Sequence, residues 1–322
     1  MHILVCTRDG SVVRVGRDGG TWHARPVLDD TAAQCVATDG TRVLVGTRGR
    51  GLLVSADGGA NWTSTELPEA DVFSVAISAA DGALYAGTEP SRLFVARDGG
   101  RWEELEALQD IPSRGRWSFP PRPWTHHVRW VAPDPHRAER LLVGIELGGV
   151  MYTDDGGATF ADHRPGAKLD PHTLAWHPRV SERAYEAAGD GAASSRDGGR
   201  TWEAADGGRD LPYCWALAVD PADAESWYVS AATGPFAAHS GSDARGRLYR
   251  FSRGSWQRLT LPTDAMPYTL ATAGGLLLAG MVDGRILHSG DRGASWDDAG
   301  VELGPVVAMV AVDCDPADRP HV

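Results

Sequence analysis

Short apolar runs, each about the length of a strand, recur along the chain between turns rich in Gly and Asp. In one stretch the runs occupy residues 35–38, 43–47, 52–55 and 62–66, and in the next 73–78, 84–88, 93–97 and 102–105. Each group of four reads as one small antiparallel sheet, with strands A to D counted from the inside outward. The chain opens with three runs only, at residues 3–7, 12–16 and 22–26, which match B, C and D. The missing A strand is expected at residues 306–313, so that the last strand pairs with the first three and closes a ring of sheets. Closure removes the unpaired strand edges through which open sheets aggregate.

The turn between strands C and D carries a repeated phrase whose best copies read Ser-x-Asp-x-Gly-x-x-Trp. Full copies span residues 55–62, 153–160, 195–202 and 289–296, shortened ones 18–22 and 98–102, and an eroded one 252–256. The closing aromatics Trp22, Trp62, Trp102, Phe160, Trp202, Trp256 and Trp296 are 40, 40, 58, 42, 54 and 40 residues apart. Self-similarity at that period means repetition of one supersecondary unit. Seven such units use the whole length, so the expected fold is all-β: a seven-bladed β-propeller forming one domain over residues 1–322. Locally, the Asp accepts backbone N–H groups of a tight turn, Gly tolerates positive φ, and the aromatic packs between neighbouring sheets.

The phrase resembles the Asp box, or bacterial neuraminidase repeat, of sialidases, xyloglucanases, sortilin-type receptors and a photosystem assembly factor. The resemblance implies that these turns are structural staples on the face away from the ligand site. It stops short of each specific enzyme family. No Arg-Ile-Pro motif lies near the N-terminus, and no three-Arg cluster with a partnered Tyr nucleophile marks a sialidase. The xyloglucanases have two tandem propellers where this chain has one.

Composition agrees with many short strands and tight turns: 42% hydrophobic, with 39 Gly and 12 Trp in 322 residues. No apolar run reaches the length of a membrane span. The first residues run straight into a strand without a signal pattern, so a cytoplasmic location is expected. Cys6 and Cys314, and Cys35 and Cys214, are poorly placed for bridges and read as free thiols. A net charge of −12 argues against nonspecific nucleic-acid binding.

Chemistry is expected at the opposite face, where the D-to-A connections and B-to-C turns converge on the mouth of the central channel. Alignment of the A strands puts His127, His172, Trp215 and Tyr268 at one level in four successive blades, with Ala308, Gln34 and Phe73 completing the ring. The B-to-C turns add Arg8, Arg48, Glu89, Glu146 and Asp190, with Arg50 close behind and Asp283 and Arg285 in the last blade. Basic groups thus gather in the first two blades and acidic ones in the third to fifth. Two insertions, at about residues 107–125 and 234–246, rise from the same face and carry Arg114, Arg116, Trp117, Phe119, Arg122, Trp124, Phe236 and His239.

Three functions fit these residues. In the first, a hydrolase-like enzyme uses an acid and a base drawn from Glu146, Asp170 and Asp190, with His127 and His172 positioning substrate or sharing the proton. Arg8, Arg48 and Arg50 would receive an anionic group. Trp124, Tyr213, Trp215, Tyr268 and His126 would contact a sugar or other small polar ligand. In the second, His127, His172 and Glu146 ligate a divalent metal, Zn, Mn or Fe, with His126 and His239 in reserve. The third is a noncatalytic binding platform.

Overall fold

The computed structural model describes residues 1–120, 125–240 and 245–312. Arg122, Trp124 and Cys314, named above, and residue 313 of the expected closing strand lie outside these ranges. The described residues form seven small antiparallel sheets in a ring, a seven-bladed β-propeller. The expected closure is present: the last strand, Val306–Val312, pairs antiparallel with His2–Thr7, and Val12–Asp18 and Thr21–Leu28 complete that blade. The other innermost strands are Ala33–Thr38, Asp71–Ile77, Val128–Pro133, Pro171–Trp176, Tyr213–Val219 and Pro267–Ala273. They line a central channel of about 370 Å³.

Six blades have four strands, and the fourth has three. There the outermost strand shrinks to a single bridge between Tyr152 and Ala161. This is also the blade whose phrase ends in Phe160 instead of Trp. At the full phrases the expected staple forms. Asp197 accepts the Arg200 and Thr201 backbone N–H groups and the hydroxyls of Ser195 and Thr201, while Trp202 Nε1 donates to the Gly199 carbonyl at 3.1 Å. The same bonds recur around Asp57 with Trp62. The aromatic then packs between blades, as Trp22 of the first does when its Nε1 donates to His288 Nε2 of the seventh at 3.0 Å. Of the cysteines, Cys6, Cys35 and Cys214 are free thiols.

At the mouth, each innermost strand carries an extra residue that its neighbour does not match. Cys35 and Ala33 pair with the adjacent Gly46 and Thr47, leaving Gln34 as a β-bulge. By the same register shift the bulged residues of the other blades are Phe73, Arg129, His172, Trp215, Tyr268 and Val307. A bulge bends its strand and re-aims one side chain. Here it turns one residue toward the channel mouth in six blades, while His172 of the fifth stays buried behind it. The partner strand often has Gly beside the bulge. A Cβ on Gly87 would sit 2.5 Å from the Ser74 Oγ and Val128 side chains, so Gly lets the next blade approach.

This register corrects the sequence alignment in two blades. In the fourth, Arg129 and not His127 is the counterpart of His172. The segment Ala132-Pro133-Asp134-Pro135 contains two prolines, and Asp134-Pro135 matches His177-Pro178 and Asp220-Pro221. Asp134, His177 and Asp220 each donate the backbone N–H that follows the inner strand. In the first blade the bulge is Val307, one residue before Ala308.

Candidate functional site

Six of the bulged residues, Gln34, Phe73, Arg129, Trp215, Tyr268 and Val307, line both the channel and a cavity of about 590 Å³ above it. Arg8, Arg48, Phe119, His127, Glu146 and His239 complete the walls of that mouth. The reactive groups concentrate between the fourth and fifth blades. His127 and Asp170 both stand two residues before a bulge, so each blade offers a pair: His127 with Arg129, and Asp170 with His172. Glu146, the first residue after the strand Leu141–Ile145, lies between the pairs.

One carboxylate oxygen of Glu146 belongs to each blade. Oε2 accepts a hydrogen bond from His127 Nε2 at 2.6 Å and lies 3.5 Å from Arg129 Nε. Oε1 lies 4.0 Å from His172 Nε2. Burial would raise the Glu146 carboxyl, but the His127 hydrogen bond and the Arg129 charge outweigh it and hold it at about 2. Asp170 has the opposite fate. Burial, with the charges of Glu146 and Asp190 added, pushes it up to about 7.

His172 is entirely buried, and burial, with Arg129 adding to it, lowers its ring to about 4. The ring is therefore neutral at physiological pH. Its Nδ1–H donates to the Cys214 carbonyl at 2.7 Å, so Nε2 is the bare nitrogen. Nε2 lies 3.6 Å from Asp170 Oδ2 and accepts the Tyr213 hydroxyl at 3.3 Å. Together, one atom each from Glu146, Asp170 and His172 lie within 4.8 Å of one another.

Gly189 makes room for this arrangement. It is the fifth-blade counterpart of Glu146, and a Cβ there would lie 1.9 Å from Asp170 Oδ2 and 2.9 Å from the Tyr213 ring. Asp190, one residue later, is turned onto the loop. Its oxygens accept the Leu169 and Asp170 backbone N–H groups at 3.2 and 3.3 Å. It braces Asp170 and does not itself face the mouth.

The remaining expected residues divide. Trp215 forms the aromatic wall, 4.4 Å from the His172 ring and 5.0 Å from Tyr268, with the Arg129 guanidinium 4.7 Å above it. Tyr268 bonds His239 Nδ1 at 3.0 Å, which brings the second insertion to the mouth. Tyr213 stands behind His172. Arg8 and Arg48 line the mouth and make no ion pair among the described residues. Arg50 is not brought to the site: its guanidinium bonds the Asp30 carbonyl and faces the Asp30 carboxylate at 3.7 Å. His126 turns away toward Trp117, with ring centroids 5.5 Å apart. Trp117 itself is buried in the core between the third and fourth blades, so this part of the first insertion is packing. Phe119 beside it meets His127 edge-on at 5.0 Å.

The metal set expected from sequence is not the one that assembles. His127 is engaged by Glu146 Oε2, and Asp170 joins Glu146 and His172 in its place. Arg129 was missed as a site residue. Only the distinction between Pro133 and Pro135 could have placed it at the bulge.

No family model matches the chain, and no curated protein matches it. Solved structures do match. An ancestral GH74 enzyme superposes with a TM-score of 0.65 at 16% identity, covering 83% of this chain and 38% of that one. The GH74 xyloglucanase from Xanthomonas campestris gives 0.62 at 19%, covering 83% and 45%. The chain thus spans less than half the length of these two enzymes. YCF48 bound to D1 peptide gives 0.61 at 16%, covering 83% and 82%, and the WD40 β-propeller domain of Doa1 gives 0.65 at 16%, covering 91% of both. At these identities the likeness is one of fold. The neighbours include GH74 enzymes, a propeller solved with a bound peptide and a WD40 domain. No helix among the described residues is long and apolar enough to cross a membrane.

Proposed function

We propose that this protein is a hydrolase-like enzyme of the Asp-box propeller group, acting in the cytoplasm on a sugar or another small, polar, anionic molecule at the channel mouth. The observation that carries this reading is the partly buried 2.6 Å hydrogen bond between His127 and Glu146, set in the wall of an open cavity. It fixes the carboxylate in one orientation, as a charged group that must face a substrate in a defined direction requires. Glu146 is the ionised carboxylate at the reacting point and His127 its positioning partner, while Asp170, raised to about 7, is the group that exchanges a proton near neutral pH. Asp170 and His172 face the same point from the fifth blade. Tyr268 supplies a flat wall of the kind on which sugars stack, with Trp215 packed behind it under Arg129, and Arg8 and Arg48 receive the negative charge. The Asp-hydrogen-bonded turns support the group assignment, and the three free thiols suit a reducing compartment.

The test is a screen of chromogenic glycosides, esters and sugar phosphates with the wild type and Glu146→Gln. Turnover that falls by ~10²-fold or more in the variant, with ligand-induced melting shifts retained, is the expected result. Equal turnover by both proteins would remove Glu146 from the chemistry. Ligand binding by a wild type that turns nothing over would make the protein a noncatalytic binder.

A further inference from the structure

We infer that Glu146, Asp170 and His172 form a binding site for one first-row divalent cation, Zn²⁺ or Mn²⁺, beside the channel mouth. The inference rests on reading this cluster as the reacting centre. The donor set is one imidazole nitrogen and two carboxylate oxygens, which suits these ions better than the all-oxygen cages of Ca²⁺ or Mg²⁺. Ligand atoms about 2.1 Å from a tetrahedral ion are about 3.4 Å apart. His172 Nε2 is 3.6 Å from Asp170 Oδ2 and 4.0 Å from Glu146 Oε1, and the three ligand atoms lie within 4.8 Å of one another, so the carboxylates must close on the imidazole by about 0.2 Å at Asp170 and about 0.6 Å at Glu146.

Three further features point to a ligand in that space. The fully buried His172 has its tautomer fixed by the Cys214 carbonyl, which leaves Nε2 unprotonated 3.6 Å from Asp170 and 4.0 Å from Glu146. The Tyr213 hydroxyl is the one hydrogen-bond donor on that nitrogen among the described residues, and it is free to rotate away. Asp170 Oδ1 is buried and without a hydrogen-bond partner.

The outer contacts are those a metal centre uses to orient its ligands: a backbone carbonyl on the far nitrogen of His172, His127 on the far oxygen of Glu146, and the Gly189 gap that admits Asp170. Arg129 opposes a cation, but its guanidinium lies on the Oε2 side of Glu146 and over Trp215, and the atom of Glu146 in the cluster is Oε1. Asp190, braced beneath Asp170, adds favourable charge. Glu146 also lines the mouth, so an ion held here would adjoin whatever the mouth binds.

The experiment is calorimetric titration of ZnCl₂ and of MnCl₂ into chelator-treated protein without a histidine tag, comparing wild type, Asp170→Asn, His172→Asn and His136→Asn. His136, which bonds the His177 carbonyl outside this cluster, controls for adventitious binding. One equivalent of one of these ions should bind the wild type and His136→Asn, with affinity at least tenfold weaker in Asp170→Asn and lost in His172→Asn. If His172→Asn does not fold, the shape-preserving Asp170→Asn carries the test. Uptake of neither ion by the wild type, or undiminished binding by Asp170→Asn, would overturn the site. The readout is heat of binding and not turnover. A protein that binds no metal yet loses turnover in Glu146→Gln keeps its enzymatic reading, and one that binds metal but never turns over loses it.

Discussion

His127 and Asp170 occupy the same position in neighbouring blades, each two residues before its bulge, and Glu146 stands between them with one oxygen toward each side. The register therefore sets an imidazole opposite a carboxyl around a shared carboxylate. Against its burial, the His127 hydrogen bond and Arg129 make the Glu146 carboxyl easy to ionise, while burial first, and then the Glu146 charge, makes Asp170 hard to ionise.

The Asp170 side depends on an empty place in the strand opposite. Gly189→Ala would drive a methyl into Asp170 Oδ2 and the Tyr213 ring. It should cost ~1–3 kcal/mol in denaturant unfolding through overpacking. Ligand or metal binding should weaken even at temperatures where the variant is folded. An unchanged denaturation midpoint would show that the blade relaxes around the methyl.

Sequence periodicity carried the strands well, because alternation and turn chemistry are local. The strands Val43–Thr47 and Leu52–Ser55 and the closing role of Val306–Val312 read directly from it. The site was legible in its membership more than in its geometry. A bulge is a register event between two strands, and no single strand announces it. Hence His127 was aligned with His172 although Arg129 is the true counterpart, and Asp190 was placed with Glu146 although Gly189 is. Arg50 looked like a mouth residue from its turn, but its side chain finds Asp30 locally.

Glu186 is completely buried on the middle of a fifth-blade strand, and burial is the main cause that raises its carboxyl to about 8. In the unfolded chain it returns to about 4.5. Its folded form holds a proton that the unfolded form has lost between these values, so its contribution to stability is intact below pH 4.5 and falls as pH rises toward 8. Glu186→Gln should flatten that decline and melt above the wild type at pH 8, with a smaller difference at pH 5. Parallel melting curves across this range would refute the buried neutral carboxyl.

Asp197 shows the reverse dependence. Burial opposes ionisation, but the Thr201 and Ser195 hydroxyls and the turn N–H groups outweigh it and hold the carboxyl below 3.8. Its stabilisation is present above that value and is lost as pH falls through the lowered one. Asp197→Ala should cost ~1–3 kcal/mol at pH 7, because several donors lose their acceptor, and less in strong acid. Urea titrations at pH 7 and pH 3 measure both.

Arg8 and Arg48 border the cavity without an ion pair among the described residues, so they have little to do for the fold. The double variant Arg8→Ala/Arg48→Ala should keep stability within ~0.5 kcal/mol. Affinity for anionic ligands should fall at low salt, and the gap to the wild type should narrow as salt rises. A loss that is equal for neutral and anionic ligands would assign the arginines another task.

The bulges also bear on how such a mouth can diversify. Each bulged residue is supernumerary to the ladder, so the backbone pairing of its strand with the next does not run through it. The hydrogen-bonded turns that pin the blades are at the other end of the strands. The chemistry of the opening can therefore vary at the six bulged residues that line it, neighbours such as Trp215 and Tyr268 changing together, while the ladders and turns that hold the ring stay as they are.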